Sequence, residues 1–163
     1  MAYAAVTEVP PLLPGFSEMA RQHQAVRLEV VELRGMIDSC RATQRTDGYR
    51  AMLAVLVCRL RERLTTHFEL EEEHVLVGRL GAGDPAAADA LAGFARQHAA
   101  LLDEGARLGE LLRAATPPPK VVAKTMQWLD DLRAHEQAED DFLAARADDG
   151  PGAGPASGPA SGH

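Results

Sequence analysis

The sequence predicts an all-α protein, an up-down-up-down four-helix bundle, and three observations carry that prediction. Apolar residues recur at alternating spacings of three and four along four long stretches, the signature of helices with one buried face. The composition is rich in Ala, Leu, Glu and Arg and only 4% aromatic, which favours helix over sheet. Proline and glycine gather at the ends and in a few short breaks. At 163 residues the chain can bury the core of one domain without disulfides or oligomerisation.

In chain order, residues 1–16, with Pro10, Pro11 and Pro14, read as an extended lead-in to a bundle spanning 17–147. Ser17 is a candidate N-cap, and Glu18 follows in the first turn, where a carboxylate suits the positive end of the helix dipole. The first seam runs Met19, His23, Val26, Val30, Leu33, Ile37 and closes near Arg41. After a polar segment, Asp47 can cap a second helix with the seam Leu53, Leu56, Leu60, Leu64, His67, Glu71, which stops in the glycine-rich break 78–83. Asp84-Pro85 is a helix start by two signals, an acidic cap and a proline at the first helical position. The third seam is Leu91, Phe94, His98, Leu101, Gly105, Leu108, Leu112, ended by the prolines 117–119. The fourth is Val121, Thr125, Trp128, Leu132, His135, Glu139, Phe142, fading by Arg146. Residues 148–163 are Gly, Pro, Ala and Ser in an imperfect repeat, a composition too poor in apolar side chains to order itself, and read as a disordered tail. Short breaks between long helices force antiparallel neighbours.

Charge and composition exclude several function classes. The net charge of −7 and the lack of basic patches argue against nucleic acid and anionic membrane as partners. The longest apolar run, Met52 to Cys58, is far too short to span a bilayer, and residues 1–15 lack the basic start and apolar run of a secretory signal, so a cytoplasmic protein is expected. Cys40 and Cys58 fall at different heights of an antiparallel pair, which predicts no disulfide, and no Cys-x-x-Cys metal or redox signature occurs.

The chemistry lies in His67 and Glu71, and again in His135 and Glu139. Residues at i and i+4 share a helix face within about 6 Å, so each pair can offer a nitrogen and an oxygen to one point. His23 and His98 lie in the other two seams. Measured from one end of the bundle, all six fall about 6 to 13 residues in, or roughly 9 to 20 Å, and so form one layer. A single inward histidine is more often a hydrogen-bonded core residue than a ligand. Four imidazoles and two carboxylates buried in one layer are different, because their uncompensated burial is strongly unfavourable and cations reverse the sign of that energy. Imidazole with carboxylate and without thiolate suits iron, manganese or zinc. Six donors exceed one tetrahedral zinc but suit two ions roughly 3.5 to 4 Å apart if each Glu bridges both. Solvent, an oxo or hydroxo bridge, or a small exogenous ligand would complete the coordination.

A lone His on helix one, His-x-x-x-Glu on helix two, a lone His on helix three and His-x-x-x-Glu on helix four resemble the hemerythrin-like (HHE cation-binding) proteins over residues 17–146. The resemblance implies a bundle around a non-haem, carboxylate- and oxo-bridged di-iron centre that binds or responds to oxygen, nitric oxide or peroxide. It implies metal-ligand roles for His23, His67, Glu71, His98, His135 and Glu139, with both Glu as bridges. Oxygen-carrying hemerythrins have a further His where this chain has Phe94, and an Asp five residues after the helix-four His, a spacing that Asp140 meets. Glu139 lies about 40° round from His135 and Asp140 about 140°, which favours Glu139. The four-His, two-Glu set is more similar to the branch associated with repair of iron–sulfur clusters, whose cysteine-bearing extra domain has no counterpart in these residues.

Two other readings stand beside this one. The first is a helical interaction module built around a structural metal site or a pH-sensitive His cluster. The second is a peroxide-consuming or oxidase centre, for which the sequence shows no organised pocket beyond the metals. His74, one turn past Glu71 on nearly the same face, reads as a boundary residue near the bundle end, with a ligand or outer-partner role as the alternative. Glu72, Glu73, Glu136 and Asp141 read as a solvated acidic face, with the imidazoles still needing outer hydrogen-bond partners from some residue. Trp128 and Phe94 read as core.

Overall fold

The computed structural model describes residues 14–43, 46–73, 85–114 and 119–148. They form four helices, α1 (Pro14–Thr43), α2 (Thr46–Glu71), α3 (Pro85–Ala114) and α4 (Pro119–Asp148), and no strand occurs among the described residues. The expected all-α class and number of helices are therefore present. Beyond Glu71, Glu72 and Glu73 continue α2 as a wider π-type turn. The predicted lead-in before Pro14, the rest of the α2 extension toward Gly78–Gly83, His74 and the tail from Asp149 lie outside the described residues.

Helix starts follow the prolines. Proline has no N–H to lose in the first turn and its fixed φ suits the helix. Thus α3 opens at Pro85 as predicted, and α4 opens at Pro119, the last of its proline run. The same rule corrects the expected start of α1, which begins at Pro14 rather than near Ser17.

The seams are buried as their spacing requires. Val26, Leu33 and Ile37 of α1, Leu53, Leu60 and Leu64 of α2, Leu108 and Leu112 of α3, and Trp128, Leu129 and Leu132 of α4 close into one core. The most extensive packing is between α2 and α3, followed by α1 with α2 and α3 with α4, while α1 touches α4 more lightly. Side chains tie consecutive helices together. Glu29 meets Arg63, Glu32 meets Arg59, and Trp128 Nε1 donates to the Leu101 carbonyl at 2.9 Å. Glu29 is a buried charge off the α1 seam, covered by Arg59 and Arg63 of α2. No disulfide joins Cys40 and Cys58. No described helix is long and apolar enough to cross a membrane.

Candidate metal centre

At the level where the seams turn from leucine to histidine, the core becomes polar. His67 and Glu71 project from α2 on one face, and the His67 Nε2 to Glu71 Oε1 distance is 3.1 Å. From α1, His23 brings its Nε2 to 3.2 Å from the same Oε1, with the His23 and His67 rings edge-on at 4.6 Å. Glu71 Oε2 turns the other way and lies 3.5 Å from His98 Nε2 of α3. Glu139 Oε1 of α4 lies 3.1 Å from the same His98 nitrogen and 3.2 Å from His135 Nε2.

The ligand atoms sort into two groups, each within a span of 4.8 Å: Glu71, His98, His135 and Glu139 in one, His23, His67 and Glu71 in the other. All six predicted residues are therefore brought together. All are buried except His23, whose side chain retains 13% exposure. Glu71 belongs to both groups, whereas Glu139 belongs to one. Asp140, the alternative to Glu139, faces outward and pairs with Arg27 at 3.5 Å.

Two imidazoles are held from behind. His135 Nδ1 donates to Gln97 Oε1 at 2.8 Å, which leaves its Nε2 as the free lone pair facing the centre. His98 Nδ1 lies 2.9 Å from Glu72 Oε1. Such acceptors fix ring orientation and tautomer and raise the basicity of the opposite nitrogen. Neither Gln97 nor Glu72 is singled out for this role by its spacing, although each stands beside a predicted ligand. Phe68 likewise carries no signal in the sequence. It is 2% exposed and stacks parallel on His98 at 3.9 Å, edge-on to His135 at 5.6 Å, so it walls the site with apolar surface. Phe94 closes the α3–α4 side against His135 and Phe142.

Hydrogen bonding inside the layer is incomplete. Among the described residues, eight buried side-chain N or O atoms lack a hydrogen-bond partner, and six belong here: both nitrogens of His67, Glu71 Oε2, His135 Nε2, Glu139 Oε2 and Glu136 Oε1. His67 Nε2 and His135 Nε2 come within 3.1 and 3.2 Å of carboxylate oxygens, yet neither has the direction of a hydrogen bond. Buried polar groups are almost always satisfied, so donors that converge without bonding one another are what a cation requires. These buried groups could hold a metal ion. Comparison with protein-family models, with curated proteins and with solved structures finds no match.

The charges respond to this crowding. Burial pushes the Glu71 carboxyl up, but the hydrogen bond from His23 and the nearby His67 imidazole outweigh it and hold the group down at about 2. Glu139 is likewise lowered, with burial opposed by His135 and His98. His23 is raised chiefly by its hydrogen bond to Glu71. For His98, burial works downward, but Glu139 and Glu72 prevail and raise it. With a carboxylate oxygen at each ring nitrogen, His98 can donate to both only as imidazolium.

One predicted surface residue is misplaced by sequence reasoning. Glu136, expected on a solvated face, is 9% exposed, and burial raises its carboxyl against the pull of His23, Arg27 and His67. Position i+1 from an inward His is only about 100° round the helix, and here that direction is covered by α1. Glu73 and Asp141 are exposed as predicted, and Glu72 is half exposed while reaching His98.

Proposed function

We propose that His23, His67, Glu71, His98, His135 and Glu139 hold two metal ions, iron by resemblance to hemerythrin-like proteins, and that the protein binds, senses or detoxifies a small oxidant such as oxygen, nitric oxide or peroxide. The single observation that carries this reading is the set of unpartnered nitrogens and oxygens from α2 and α4 that, with His23 of α1 and His98 of α3, converge within two 4.8 Å groups. Manganese and zinc accept the same donor types, and iron is chosen because the ligand pattern follows the di-iron family. Bound iron would supply electrons and open coordination positions to a small ligand.

The chain's own residues do the rest. Glu71 draws the two groups together, Gln97 and Glu72 keep the Nε2 atoms of His135 and His98 aimed inward, and Phe68 and Phe94 exclude water. The reading includes an up-down-up-down bundle. Its support is that contacts such as 29–63 and 32–59, 72–98 and 58–113, and 97–135 and 101–128 pair rising with falling residue numbers between consecutive helices.

The test is elemental analysis with visible spectra of the anaerobic reduced protein and again after air. Two irons per chain and absorption bands that develop on oxidation support the reading. Protein purified without transition metal, or His67→Ala and Glu71→Ala variants with full iron occupancy, sinks it. A second reading, a pH-sensitive His cluster or structural metal site in an interaction module, is favoured by the His–carboxylate hydrogen bonds at His23 and His98, which can form without an ion. One zinc per chain and no spectral response to oxygen would select it.

A further inference from the structure

The two ligand groups are unequal. One has four donors, all buried, with outer partners on both imidazoles. The other has His23, His67 and a share of Glu71, and His67 Nδ1 has no hydrogen-bond partner. Charge is unequal as well. Two divalent ions bring four positive charges, against which Glu71 and Glu139 set two, and Glu139 belongs to the richer group.

Glu136 stands on the poorer side. Helix α4 turns it about 100° from His135, toward α1, where it faces Arg27, one turn on from His23. It is 9% exposed, and its Oε1 has no hydrogen-bond partner. Its Oε2 is 3.8 Å from Arg27 Nε, a distance too long for a hydrogen bond, and Arg27 keeps Asp140 as a partner if Glu136 leaves. A buried carboxylate with an idle oxygen is unfavourable unless something positive completes it.

We propose that Glu136 is a seventh ligand, the carboxylate that completes the second ion's site with His23, His67 and Glu71. This rests on the two-ion reading above. Glu136 lies outside the 4.8 Å groups in the metal-free arrangement, so binding requires its side chain to rotate off Arg27 toward His23 and His67. The resulting centre has four imidazoles and three carboxylates, with the charge supplied where donors are fewest.

The experiment is an anaerobic titration of the full chain with Mn(II) and with Fe(II), alongside melts of the metal-free and loaded protein, for the wild type, Glu136→Gln and Arg27→Ala. The wild type should take up two ions. Glu136→Gln should keep the first step and weaken the second by about tenfold or more, at least the loss seen when an outer-shell partner is removed. Metal-free Glu136→Gln should melt no lower than the wild type, since it loses an idle buried charge, while the extra stabilisation from the second ion disappears. Arg27→Ala should bind the second ion at least as tightly as the wild type. A wild-type stoichiometry of one or none overturns the two-ion reading and this assignment with it. Two ions in the wild type, with a second step in Glu136→Gln weakened less than tenfold, with both steps weakened equally, or with weaker second-ion binding in Arg27→Ala, overturns the Glu136 assignment alone.

Discussion

Glu71 and His98 face each other across the α2–α3 interface, Oε2 to Nε2 at 3.5 Å, while the other oxygen of Glu71 engages His23 and His67. One carboxylate thereby belongs to both halves of the site, and Glu139 to only one. Removing a shared ligand and removing an unshared one should have different stoichiometric consequences.

Glu71→Ala is expected to abolish both metal positions, whereas His23→Ala should retain one ion, in the group of Glu71, His98, His135 and Glu139. Metal content after dialysis against excess Mn(II) or Fe(II) measures this directly. A Glu71→Ala protein that keeps one tightly held ion would show that the shared role is absent.

Much of this arrangement is legible in the sequence, for a physical reason. Seam positions such as Leu60, Leu64, His67 and Glu71 follow one helical period, and the period alone dictates that they share a face. What is not legible depends on how neighbouring helices are rotated and offset. Glu71 and Glu139 have the same spacing from their histidines, so nothing local distinguishes the shared carboxylate from the unshared one. Glu136 and Gln97 flank ligands and lie off the seams, and only the position of α1 over one and of His135 beside the other gives them a role. Glu29 is buried because Arg59 and Arg63 close over it, a contact between chain positions about 30 residues apart. The start of α1 escapes sequence reasoning because prolines 10, 11 and 14 together suggest extended chain, although a proline also serves as a first helical residue.

Gln97 should matter more than its exposed position suggests. Gln97→Leu removes the acceptor for His135 Nδ1, so the ring is free to turn and to take the wrong tautomer. Affinity for the first ion should fall about 10- to 100-fold, with helix content unchanged by far-UV circular dichroism. Glu72→Gln keeps an acceptor for His98 Nδ1 and loses only a half-exposed charge, so its loss should be smaller. Metal titrations with a competing chelator separate the two cases, and the opposite order of losses would contradict these roles.

Metal-free protein and metal-loaded protein should respond oppositely to pH. His23 and His98 are raised above 6.5 in the fold, so their stabilisation is complete below about 6.5 and fades as pH rises through their folded values. Glu136, raised above 4.5 by burial, acts in the same sense. Glu71 and Glu139 are lowered, so their contribution is present above about 4.5 and fades as pH falls, for Glu71 only near 2. The metal-free fold should therefore be most stable between about 4.5 and 6.5 and lose stability toward pH 8. Metal ligands must be deprotonated, so the stabilisation on adding Mn(II) should grow over that upper range. Melting temperatures with and without metal across pH 5 to 8 check both signs, and parallel curves would contradict the prediction.

Trp128 and Gly105 set the packing beneath the site. A Cβ on Gly105 would lie 2.7 Å from Trp128 Cζ2 and 3.3 Å from Arg61 Cγ, and the indole cannot easily retreat because its N–H is committed to the Leu101 carbonyl. Gly105→Ala gains about 1 kcal/mol of helix propensity, but overpacking a well-filled core typically costs about 1–3 kcal/mol, and a contact this short lies toward the upper end. Net destabilisation of about 1–2 kcal/mol is expected. Trp128→Phe forfeits the buried hydrogen bond and leaves a void, for a loss of about 1–3 kcal/mol. It also removes the ring atoms that the added methyl of Gly105→Ala would strike, so the double variant should lose less than the sum of the two single changes. Urea denaturation of the three variants in metal-free form measures the coupling, and strict additivity would mean that the clash is relieved elsewhere.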